Sequence, residues 1–85
     1  MTFNMKLPFK FAIIRNIAEN PASNINTIME KLKDDYGSEG QFNLKMVSMH
    51  LDSLRTSGLI QEDTNYCYSL TATGHLRLKY ITHQK

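Results

Sequence analysis

Apolar residues along this chain recur at helical spacing, interrupted by one short alternating stretch after residue 58. Pro8 opens the first periodic run, because a helix start has no use for the N–H that proline lacks. Phe9, Ala12, Ile13, Asn16 and Ile17 share one face of the predicted helix, and Phe11, Ile14 and Ala18 occupy the other side. A helix apolar nearly all round is expected to be buried on two sides. Asn20-Pro21 ends it. A second helix follows, capped by Ser23 or Asn24, with Ile25, Ile28, Met29, Leu32 and Tyr36 recurring along it. Gly37 stops this helix, and Ser38-Glu39-Gly40 is a loop.

Asn43 caps a third helix whose predicted inward stripe is Leu44, Val47, Leu51 and Leu54, with Gly58 just past its end. The spacing then changes. Leu59-Ile60-Gln61-Glu62 and Tyr66-Cys67-Tyr68-Ser69-Leu70 flank the polar run Asp63-Thr64-Asn65, the pattern of a β-hairpin. Thr71 or Thr73 caps a last helix. Its apolar residues divide into Leu76 and Tyr80 on one face and Leu78 and Ile81 on nearly the opposite one. The expected organisation is an arm over residues 1–7, one domain over 8–82 and a tail over 83–85. The fold class is α+β, mostly helical: three helices, a two-stranded hairpin and a C-terminal helix.

Eighty-five residues leave room for one core, and a core this small gains from a partner subunit. The single cysteine, Cys67, allows no intrachain disulfide, which fits a reducing cytoplasm. The apolar stretch Phe11–Ile14 is too short for a signal segment or a membrane span.

Three stretches carry a family resemblance. Val47-Ser48-Met49-His50-Leu51, with Leu54 and Gly58-Leu59-Ile60, resembles the end of the recognition helix and the start of the wing in MarR-like, PadR-like and ArsR-like regulators. The hairpin follows directly. Leu70-Thr71-Ala72-Thr73-Gly74 is similar to the leucine-threonine, any two, glycine run that opens the helix after the wing in those proteins. The resemblance covers roughly residues 9–82 and does not choose a subfamily. It implies a winged helix-turn-helix domain that binds double-stranded DNA, with its third helix in the major groove, and regulates transcription.

On that docking Lys45 meets a guanine edge or a phosphate, Ser48 accepts any base, and Met49 meets a thymine methyl, with Asp52 on the same face. Asn43 and the free N–H groups at the helix start are placed for a phosphate, as are Lys31 and Lys33 of the second helix. Thr64 and Asn65 form the wing tip. A homodimer is expected through Phe11 and Ile14 of the first helix and Leu78 and Ile81 of the last, with Phe3 and Met5 of the arm adding to the patch.

Charge changes the picture. The net charge is +2, but residues 21–40 carry −2, 41–57 carry +1 and 58–70 carry −2, while both ends of the chain are positive. The wing brings no cation, although phosphate neutralisation supplies most non-specific affinity for DNA. A winged-helix module that meets another protein through its acidic wing and its Met46/Met49 surface is therefore the alternative reading. Terminal Lys6 and Lys85 are a further source of cations.

Enzyme chemistry is not expected. His50 with Ser48, Asp52 and Ser53 has no spacing that orients a triad. Cys67, His50, His75 and His83 lack metal-ligand spacing, and no glycine-rich phosphate loop is present, so no cofactor is expected. Tyr66, Tyr68 and Tyr80 are candidates to line an aromatic cavity near the dimer seam, but ordinary wing and core packing with their hydroxyls at the surface is the expected arrangement.

Overall fold

The structure is a computed structural model and describes residues 8–38, 40 and 42–82, with the backbone alone at 81 and 82. The arm, the tail and the Ile81 side chain lie outside the described residues. The elements run α1 (Phe9–Glu19), α2 (Ile25–Tyr36), α3 (Leu44–Thr56), β1 (Ile60–Glu62), β2 (Tyr68–Leu70) and α4 (Ala72–Thr82). This is a mostly helical α+β domain, and its three helices, hairpin and C-terminal helix are compatible with a winged helix.

Helix α1 is the centre of the core. Phe9, Ala12, Ile13, Ile14 and Ile17 are all buried, which is what its two-sided apolarity demands. They meet Ile28 and Leu32 of α2, Val47, Leu51 and Leu54 of α3, and Leu59, Ile60 and Leu70 of the hairpin region. At one end, Phe9 packs against Tyr36, Phe42 and His50, with ring centroids 5.1, 6.2 and 5.6 Å away. This cluster ties α1 to α2, to the loop before α3 and to α3 itself.

The local signals resolve as follows. Asn24, not Ser23, caps α2, accepting from the Thr27 N–H at 2.9 Å. Ser23 pairs instead with Tyr68 in an isolated antiparallel bridge: the Tyr68 N–H donates to the Ser23 carbonyl, and the Ala22 N–H donates to the Tyr68 carbonyl. Ala22 takes a left-handed φ of 63° to turn the chain into that bridge. The hairpin thus gains a third, one-residue partner beside β2. Its own register sets Ile60 opposite Leu70 and Glu62 opposite Tyr68.

Gly58 follows α3 with a φ of +80°, a conformation that favours glycine and lets the chain leave the helix sharply into β1. Thr71 caps α4 and does more than cap it. Its hydroxyl donates to the Gly58 carbonyl at 2.6 Å and accepts from the Gly74 N–H at 3.0 Å, while its own N–H donates to the Leu59 carbonyl. The Leu70-Thr71-Ala72-Thr73-Gly74 run therefore locks the start of α4 onto the exit of α3.

Two expectations about faces are corrected. Leu44 was expected in the inward stripe of α3 but is 56% exposed, because it is the first helical residue and precedes the point where α3 meets the core. The faces of α4 are reversed. Leu78 packs half-buried against the core, whereas Leu76 and Tyr80 are 56% and 66% exposed. Ile14 is fully buried in the chain's own core and Phe11 half-buried against it, so Ile14 offers nothing to a second subunit.

Candidate nucleic-acid interface

Helix α3 is held from one side. Val47, Leu51 and Leu54 are buried, and Lys45, Ser48, Met49, Asp52, Ser53 and Thr56 stand exposed on the other side. Its start is pinned by Asn43, whose carboxamide oxygen accepts from the Met46 N–H at 2.8 Å and whose amide donates to the Gly40 carbonyl at 3.0 Å. The Asn43 carboxamide oxygen is thus spent on the helix start, while its amide keeps a second N–H beyond the Gly40 contact. Lys31 and Lys33 are exposed on α2.

Tertiary packing adds a residue that sequence reading missed. The Lys10 ammonium of α1 donates to the Ser53 hydroxyl of α3 at 3.4 Å. A positive charge assigned by sequence to the far end of the chain therefore sits at the edge of the α3 face. Beneath it, the His50 ring lies edge-on to Phe9, with its Nε2 buried and without a hydrogen-bond partner among the described residues. Burial, and secondarily the Lys10 charge, hold His50 below its ordinary value of 6.5. A depressed histidine contributes stability that is present above the unfolded value and lost as pH falls through the lower folded value. Urea unfolding is expected to show stability falling as pH drops below about 6.5. The His50→Gln variant is expected to have a shallower pH slope there, and an unchanged slope contradicts this account.

The acids of the interface are engaged locally. Asp52 lies 3.4 Å from Arg55 on the same helix, an exposed pair worth little in stability. Asp63 builds the wing turn: its carboxylate accepts from the N–H groups of Asn65 and Cys67 at 2.8 and 3.0 Å. The Tyr68 hydroxyl opposite Glu62 has its titration raised by burial first, then by the charges of Glu62 and Asp52. Strand β1 packs against α3.

At the wing tip Thr64 and Asn65 are exposed, as expected of a tip. Tyr66 beside them has a left-handed φ of 62° and is 74% exposed. Such a position ordinarily takes glycine or asparagine. Tyr66 and Tyr80 both face solvent, whereas Tyr68 is half-buried.

Among the described residues no three of His, Cys, Asp and Glu gather at metal-binding distance, and no helix is long and apolar enough to cross a membrane. Comparison of the chain with protein-family models, curated proteins and solved structures finds no match.

Proposed function

We propose that this chain binds double-stranded DNA as a transcriptional regulator, inserting α3 in the major groove and acting as a homodimer. The observation that carries the reading is the one-sided burial of α3. A packed core presents Lys45, Ser48, Met49 and Asp52 outward, with Lys10 at one edge and the hairpin packed against α3 through β1. A single helix so displayed matches the width that the major groove admits. Lys10, Lys45 and Arg55 supply cations that the acidic wing lacks. The dimer seam in this reading lies on the exposed face of α4, where Leu76 and Tyr80 stand one turn apart.

A second reading has its own support. Leu44 and Met49 are large, apolar and exposed on α3, and exposed apolar groups beside an acidic wing also suit a protein partner. Fluorescence anisotropy on a random-sequence duplex, titrated with salt, separates the two. Micromolar binding that weakens steeply with salt is the expected result. Lys45→Ala is expected to lower affinity and flatten the salt slope by about one unit. Failure to bind either a random duplex or any member of a randomised pool at low salt overturns the DNA reading in favour of the protein partner.

A further inference from the structure

Beyond its Asn43 cap, the first two turns of α3 expose Leu44, Lys45, Ser48 and Met49. Two of these are large apolar side chains, 56% and 54% exposed. Hydrogen-bonding capacity is sparse in comparison. The Asn43 carboxamide oxygen is committed to the cap, Ser48 is short, and Lys45 is the one long donor in these turns. Met49 occupies the middle of the row Lys45, Met49, Ser53, in which neighbours lie four residues apart and so stack on one face. The Lys10 ammonium closes the far end of the row through its contact with Ser53. Met49 is therefore bracketed by a cation at each end. The face as a whole sets Lys10, Lys45 and Arg55 against the single carboxylate of Asp52. Met49 is an apolar side chain with cationic flanks, and Leu44, five residues earlier, stands about 140° round the helix from it; together they complement a surface whose walls are phosphates and whose floor offers apolar groups.

In duplex DNA the apolar group displayed at a base edge in the major groove is the C5-methyl of thymine. We propose that Leu44 and Met49 read thymine methyl groups, so that the preferred site carries thymines facing the N-terminal half of α3. This rests on the DNA-binding reading above and extends it from duplex DNA in general to a base class. The flexible thioether of Met49 suits a contact that follows methyl position rather than hydrogen-bond geometry. Lys45 and Lys10 anchor α3 to the backbone on either side of the Met49 contact.

The experiment begins with selection of a preferred duplex by the full chain. Each thymine in the selected site is then replaced by uracil, which keeps the base pairing and removes only the methyl group. Each contacted methyl is expected to account for about four-fold in affinity, the value of one buried methyl-sized group. In the Met49→Ala variant, thymine and uracil duplexes are expected to bind equally at the position Met49 contacts. Met49 is exposed, so the variant keeps the core intact. Equal affinity of the unaltered chain for thymine and uracil duplexes overturns the inference and leaves salt-dependent DNA binding standing. So does a thymine preference that survives both Leu44→Ala and Met49→Ala. Absence of binding to any duplex overturns the DNA reading itself, and this inference with it.

Discussion

Replacing Gly74 by alanine is expected to destabilise the domain by about 3 kcal/mol, the upper part of the range for forcing atoms into a packed site. In an ordinary helix the same change stabilises, because alanine is the better helix former by about 1 kcal/mol. Here a Cβ would collide with the Leu59 carbonyl oxygen and come within 3.3 Å of Leu70 Cδ2. Neither can retreat easily. The Leu59 carbonyl accepts the Thr71 N–H, and Leu70 is buried in strand pairing with Ile60. The collision would push α4 away from the exit of α3, the joint that Thr71 closes. Urea unfolding measures the loss. The control is Gly40→Ala, where a Cβ meets nothing within 4 Å, and which is expected to leave the midpoint unchanged. A Gly74→Ala variant as stable as the unaltered chain would refute the locking role of this joint.

Ile14→Ala is the second substitution with a large expected effect, again about 3 kcal/mol, from deletion of a buried side chain and the cavity it leaves. Ile14 is 0% exposed, so this loss belongs to the single chain and should not depend on protein concentration. Joint replacement of Leu76 and Tyr80 by serine is expected to behave oppositely. Both residues are more than half exposed, so the fold of each chain should hold while dimer formation at micromolar concentration is lost. Light scattering reads the mass and urea unfolding the stability. A monomeric mass for the unaltered chain removes the homodimer from the proposed function, and DNA binding by a monomer would then rest on α3 and the wing alone.

Much of the architecture is written in local pattern. Phe9 to Ile17 repeat on two faces and become the central helix. Val47, Leu51 and Leu54 repeat on one face and become the inward side of α3. Asn43 and Gly58 bracket α3 as a cap and an exit that require their own chemistry. The outward set Lys45, Ser48, Met49 and Asp52 follows directly, since fixing one face of a helix fixes the other. The errors have equally specific causes. Leu44 fits the inward spacing, but periodicity takes no account of where along the helix the core begins. In α4, apolar residues at 76, 78 and 80 satisfy either face, so spacing alone cannot choose between them.

Charge shows the limit most clearly. Counted along the chain, Lys10 belongs to a positive end remote from α3, and Asp63 is a turn residue that adds an acid to the wing. In the folded chain Lys10 reaches Ser53, 43 residues away, and Asp63 is the acceptor that shapes the turn. Ser23 likewise reads as a candidate cap, but its hydroxyl donates to the Asn20 carbonyl and its backbone pairs with Tyr68. Helix periodicity, caps and turn chemistry act over a few residues, so the amino-acid order alone states them. Which apolar face of α4 is covered, where Lys10 lands and why Gly74 has no side chain depend on contacts between segments far apart in the chain. Those contacts exist only once the core has closed around α1.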